Sequence, residues 1–199
     1  MLVNEHCSFG QCLVTSRLDY GRGVMRREIY MSSFKLGKDY VRHYIVDTMP
    51  KGSVCLDVGA CDGCWHDLLK DHLAMDAIEI YEPNIIEHEL RKKYINVYHA
   101  DIRGFKYDRY NLIIFGDVIE HLTVEDAQKV LAYAYDRADE IIVAVPYCFK
   151  QDAIYGNEYE RHIQDDLTHG IFMQRYPGFV PLYLFDRYGY YRKRKPCDQ

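Results

Sequence analysis

The sequence predicts an α/β fold: a doubly wound, mostly parallel, seven-stranded sheet with a C-terminal antiparallel hairpin. Three observations predict it. Short apolar runs alternate with stretches of helical periodicity from Ser33 to Pro146. One of those runs, Leu112-Ile113-Ile114-Phe115, is apolar throughout, as a strand covered on both faces should be. Two strand-like runs, Val180 to Phe185 and Tyr188 to Lys193, then follow with only Asp186-Arg187 between them. Strands alternating with helices imply a parallel sheet with right-handed crossovers. A two-residue link is too short for a crossover helix, so the last two strands form a hairpin.

The elements follow in order. From Ser33 to Met49, Leu36, Tyr40, Val41, Tyr44, Ile45 and Met49 recur at helical spacing, and Pro50 and Gly52 stop the helix. Val54-Cys55-Leu56-Asp57-Val58 is the first strand, and Trp65 to His72 reads as a helix. Ala77 to Tyr81 is the second strand. Pro83 can open the next helix, where its missing N–H is an orphan anyway, and Ile86 and Leu90 share a face. Ile95 to Tyr98 is the third strand and Leu112 to Phe115 the fourth. Thr123-Val124-Glu125-Asp126 resembles a capping box with Asp in place of Glu, and starts a helix running to about Arg137. Ile141 to Val145 is the fifth strand, ended by Pro146. The first 32 residues carry no clear period and are read as an N-terminal arm.

A length of 199 residues suits one domain with a sizeable core. The net charge of −5 argues against broad, phosphate-driven nucleic-acid binding, which needs a concentrated positive surface. The basic cluster Arg192-Lys193-Arg194-Lys195 reads as a solvated tail. The N-terminus has no positive start followed by an apolar run, so no signal peptide is expected. No stretch approaches the ~20 apolar residues of a membrane span. The 7 cysteines, odd in number and scattered, suit reduced thiols of a cytoplasmic protein. Cys61-Asp62-Gly63-Cys64 matches C-x-x-C, but no second pair completes a zinc site. Most of the tyrosines gathered near the C-terminus are read as core packing.

In an open α/β sheet, ligands bind beyond the carboxyl ends of the strands. Gly59 and Gly63 follow the first strand, where a glycine turn lets backbone approach a ligand and aims helix N–H groups at it. Glu79 lies inside the second strand and Glu82 directly after it. A carboxylate at that strand end can accept both ribose hydroxyls of an adenosine; Glu82 is favoured, with Glu79 as runner-up. Asp101 follows the third strand and is placed for the adenine amino group, with Ile102 against the ring. A dinucleotide loop wants G-x-G-x-x-G, but Cys61 and Cys64 stand at its second and third glycine positions. Asp57 and Asp62 would repel a pyrophosphate and suit a cationic sulfonium. An NAD-dependent oxidoreductase is therefore the weaker reading.

Leu56-Asp57-Val58-Gly59-Ala60-x-x-Gly63, the acids Glu79 and Glu82, Asp101-Ile102 and Gly116-Asp117-Val118-Ile119-Glu120-His121-Leu122 resemble the successive motifs of class I S-adenosylmethionine-dependent methyltransferases. The resemblance runs from about residue 35 to 195. It implies a Rossmann-like fold with S-adenosylmethionine as cofactor. It also implies that Gly59, Ala60, Cys61 and Gly63 line the methionine part, that Asp101 and Ile102 hold the adenine, and that Asp117 borders the sulfonium. Cys61 departs from the family pattern, which usually has glycine there.

Asp117, Glu120 and His121 have i, i+3, i+4 spacing and share one face of a helical turn. His162, in the segment after the fifth strand, lies at the same sheet edge and can approach His121. Three readings stay open. His121 or His162 is a general base; or Glu120, His121 and His162, perhaps with Asp117, hold a divalent metal; or these residues are structural. The metal arrangement resembles the metal-dependent O-methyltransferases of ubiquinone biosynthesis and of small-RNA 3′-end modification. We expect one methyltransferase domain over 1–199, with residues 33–195 as core and 147–175 covering the acceptor site. The acceptor is expected to be a small molecule, with oxygen slightly favoured over nitrogen. A methyltransferase-fold module that binds without transferring methyl groups is the alternative.

Overall fold

The computed structural model describes residues 36–154 and 156–196. The expected arm, and the first residues of the expected first helix, lie outside them. The elements are α1 (Lys38–Thr48), β1 (Val54–Val58), α2 (Cys64–Leu69), β2 (Ala74–Glu79), α3 (Glu82–Glu87), α4 (Leu90–Lys93), β3 (Val97–His99), β4 (Tyr110–Gly116), α5 (Val124–Arg137), β5 (Ala138–Pro146), α6 (His169–Arg175), β6 (Val180–Phe185) and β7 (Tyr188–Arg194). They form a 7-stranded sheet in the order β3-β2-β1-β4-β5-β7-β6. The first five strands pair in parallel, and β7 runs antiparallel to both β5 and β6. The expected architecture is present, hairpin included.

The sequence of β4 explains the layering. Leu112 and Ile114 face one cluster, with Val41 and Ile45 of α1 and Trp65 and Leu69 of α2. Ile113 and Phe115 face the other, with Ala127, Val130, Leu131 and Ala134 of α5 and Phe172 of α6. Side chains alternate across a strand, so a sheet covered on both faces needs an unbroken apolar run. The hairpin obeys the same rule with tyrosine. Tyr188 and Tyr190 enter the first cluster and Tyr191 the second, all wholly buried. Tyr191 stacks on Phe172 at a centroid distance of 3.7 Å.

Two expectations need correction. The basic run is no free tail: Arg192 and Arg194 belong to β7 and lie 3.8 and 3.7 Å from the buried Glu140 carboxylate. The amino-terminal boundary of β2 lies at Ala74 and its carboxyl end at Glu79, not at Tyr81. The charge at Asp76 hides the start of this strand. Its carboxylate is accommodated by the Tyr110 hydroxyl at 2.8 Å and the Asn96 amide at 2.9 Å.

The capping reading at Thr123 holds, since its hydroxyl accepts from the Asp126 amide at 3.1 Å. Replacing a Ser or Thr cap leaves a helix amide without its partner. Thr123→Ala should therefore lower the unfolding free energy by about 1 kcal/mol, read as a shifted urea midpoint at unchanged slope.

Candidate active site

The order reverses between β1 and β4, and a cavity of about 360 Å³ opens beyond their carboxyl ends. That volume suits a small-molecule ligand. The loop after β1 forms its floor. Gly59 has φ 71° and its amide donates to the Ile78 carbonyl at 2.8 Å. A Cβ at this position would stand 2.6 Å from Val118. Gly63 closes the turn and caps α2 from outside the cavity lining. Cys61 adopts φ 45°, in the left-handed region that favours glycine. The family's usual glycine thus has a backbone reason here, and this chain tolerates a side chain at some strain.

Glu79 ends β2 and is 4% exposed. Its carboxylate accepts the Cys61 amide and the Tyr81 amide, each at 2.8 Å, so it fixes the loop while lining the cavity. Glu82 instead starts α3, is exposed, and does not line the cavity. The strand ends two residues before its apolar pattern does, so Glu79 and not Glu82 is the carboxylate at that edge.

Asp101 and Ile102 line the cavity opposite. Arg103 pairs with Asp101, and that hydrogen-bonded guanidinium holds the carboxyl below its usual range. Asp117 follows β4 at φ 59°, and the Tyr188 hydroxyl donates to its carboxylate. Asp57 lies beneath the loop, wholly buried, and accepts the Tyr94 hydroxyl at 2.5 Å. Burial raises its pKa to about 6 against the opposing pull of Tyr94 and Lys38.

The remaining candidates come together on a 3-10 turn, Ile119–His121, and on the segment after β5. The His121 and His162 rings are 4.7 Å apart. His121 lines the cavity, while Glu120 and His162 stand behind it. The amides of Ile163 and Gln164 donate to the Glu120 carbonyl at 2.8 and 2.9 Å, clamping the two segments together. Glu120 is wholly buried, and burial pushes its carboxyl well above the usual range. Burial also lowers His121 to about 4, helped by the neighbouring His162, while the carbonyls of Arg161 and Asp117 pull it up. His162 is lowered by burial as well.

Lys38, Trp65 and Glu160, which no motif in the sequence singles out, also line the cavity. Lys38 is 3% exposed, with its ammonium 4.5 Å from the Trp65 ring centre. Its i, i+3, i+7 relation to Val41 and Ile45 was a readable sign of burial. Glu160 is brought here by tertiary structure alone, and burial raises its carboxyl pKa.

A family model described as "Methionine biosynthesis protein MetW" matches residues 38–151, more than half of the chain. The chain belongs to the MetW family. It is thereby a member of the class I S-adenosylmethionine-dependent methyltransferase superfamily, as the motifs suggested. No curated protein matches the sequence. Solved structures share the fold at low identity. Magnesium protoporphyrin IX methyltransferase (ChlM) from Synechocystis PCC 6803, with bound SAM, is 16% identical over 79% of this chain and 77% of its own, at a TM-score of 0.57. The N-methyltransferase NodS from Bradyrhizobium japonicum WM9 is 13% identical over 80% and 94%, at 0.57. An S-adenosylmethionine-dependent methyltransferase from Clostridium acetobutylicum ATCC 824 is 12% identical over 78% and 89%, at 0.61.

The raised pKa of Asp57 has a measurable consequence. A carboxyl whose folded pKa exceeds its unfolded value contributes most below the unfolded value, and that contribution fades as pH rises through the folded one. From pH 4 to 7 the wild type should therefore lose stability relative to Asp57→Asn, by on the order of 2–3 kcal/mol. Denaturant unfolding of both proteins across that range checks the sign.

Proposed function

We propose that this chain transfers the methyl group of S-adenosylmethionine to an oxygen or nitrogen of a small-molecule acceptor. The observation that carries this reading is the Glu79 carboxylate, lining the cavity while tied to the Cys61 and Tyr81 amides. Each oxygen keeps a further lone pair, the arrangement needed to accept two ribose hydroxyls. Asp101 and Ile102 would receive the adenine, and Gly59, Ala60 and Cys61 the methionine part. Lys38 would face the cofactor's carboxylate, and Asp117 the sulfonium.

The acceptor's lone pair attacks the methyl carbon as the carbon–sulfur bond breaks toward sulfur. S-adenosylhomocysteine leaves and the acceptor loses a proton. The sulfonium already activates the methyl group, so alignment and the acceptor's protonation state are what the protein supplies. His121 lines the cavity with Glu120 and His162 behind it, which supports these groups as the ones that handle that proton. The segment 147–175 brings His162 and Glu160 to this place, which supports its reading as the acceptor-site cover. The family description, methionine biosynthesis, supports small-molecule metabolism. The N-methyltransferase NodS shares the fold, so nitrogen stays beside oxygen as the acceptor atom. We place the protein in the cytoplasm on its 7 scattered cysteines.

Titration calorimetry with S-adenosylmethionine tests the reading. Glu79→Ala should weaken binding roughly 10- to 100-fold, as expected for hydrogen bonds to a charged group, while Glu82→Ala stays within about twofold. Absence of binding to the wild type would overturn the proposal, and binding without turnover on any acceptor would favour the non-catalytic module. Given an acceptor, His121→Ala should lower kcat by about 10²-fold or more with cofactor affinity intact.

A further inference from the structure

Glu120 is wholly buried, yet among the described residues neither of its carboxylate oxygens has a hydrogen-bond partner. Buried carboxylates are ordinarily paired or coordinate a cation. The two histidines beside it are held in one way. His121 Nδ1 lies 3.1 Å from the Arg161 carbonyl, and His162 Nδ1 lies 2.7 Å from the Phe149 carbonyl. A carbonyl can only accept, so each neutral ring carries its proton on Nδ1 and keeps a lone pair on Nε2. Backbone carbonyls commonly fix metal-ligating histidines by this second nitrogen.

The spacing agrees. One ligand atom each from Glu120, His121 and His162 lie within 4.8 Å of one another. Ligand atoms about 2.1 Å from one ion lie about 3.0–3.4 Å apart at octahedral to tetrahedral angles, so the three groups would draw together by at most about 2 Å to complete a site. The backbone clamp between Glu120 and residues 163–164 holds both segments in place before any ion arrives.

We propose that Glu120, His121 and His162 bind one divalent transition-metal cation. Two imidazoles and one carboxylate form a borderline donor set that suits ions such as Mn²⁺, and three protein ligands leave positions open for a substrate. On the methyl-transfer reading above, the ion would take the acceptor's oxygen and favour its deprotonated form. That narrows the acceptor to a hydroxyl compound. Cation binding itself does not depend on that reading.

Chelator-stripped protein titrated with Mn²⁺ alone, followed by the loss of the free-ion resonance signal, should bind one equivalent. Glu120→Gln and His162→Ala should each weaken this at least tenfold. Both variants should bind S-adenosylmethionine as the wild type does, which shows that they are folded. Mn²⁺ should also raise the melting temperature of the wild type and not of the variants. Wild type that takes up no Mn²⁺ at millimolar concentration overturns the proposal, as do folded variants that bind it unchanged. So does methyl transfer that needs His162 yet ignores both chelator and Mn²⁺, because the histidine then acts as a base. Mn²⁺ uptake without S-adenosylmethionine binding would sink the methyl-transfer reading and leave the metal site standing.

Discussion

The site depends on one strand having neighbours on both sides. Val58, the last residue of β1, pairs with Ile78 of β2 and with Phe115 of β4. Both crossovers leave from this point in opposite directions, so no helix fills the space between them, and three strand ends open side by side. Much of the candidate site hangs from those ends. The glycine loop continues β1, Glu79 ends β2, and Asp117 follows Gly116 at the end of β4. The apolar runs therefore act on function at one remove: they hold three short polar segments in one plane.

Glu79 converts that proximity into a rigid site. Its carboxylate accepts amides from two different elements, the loop after β1 and the residue leading into α3. A carboxylate taking two backbone donors is a strong local constraint. It also offsets the strained backbone at Cys61, whose amide is one of the two donors. Behind the opposite wall, Gly116 lacks a Cβ because one there would stand 2.4 Å from the Trp65 indole nitrogen. The cavity floor and wall are thus set by backbone requirements at a few positions.

The fold was legible because two-sided burial writes itself into β1, β4 and β5 as unbroken apolar runs, and because a two-residue link permits only a hairpin. The second strand was legible only in part. Asp76 carries a charge that the sequence cannot show to be satisfied by Tyr110 and Asn96, so the strand is shifted toward its carboxyl end and Glu82 takes the place that Glu79 occupies. The basic run at the C-terminus misleads for a related reason. Its pairing with the buried Glu140 spans more than 50 residues, and no local pattern announces it. The meeting of His121 with His162 was inferable from the shared sheet edge alone. The burial of Glu120 was not, because it follows from the clamp by residues 163–164.

The charged side chains around the cavity are mostly acidic. Asp57, Glu79, Asp117, Glu120 and Glu160 gather within and beneath it, and their mutual repulsion appears in the raised pKa values of Asp57, Glu120 and Glu160, in each case secondary to burial. The cationic side chains nearby are largely engaged. Arg103 is held by Asp101, Arg161 by Glu158 and Asp152, and Lys38 lies over Trp65. A pyrophosphate would enter this field against several buried carboxylates, at a cost that low local dielectric magnifies. A sulfonium, an ammonium or a metal cation would instead relieve it. The acid at position 57 lies wholly buried beneath the loop and adds to the negative field around Cys61 and Glu79 without lining the cavity.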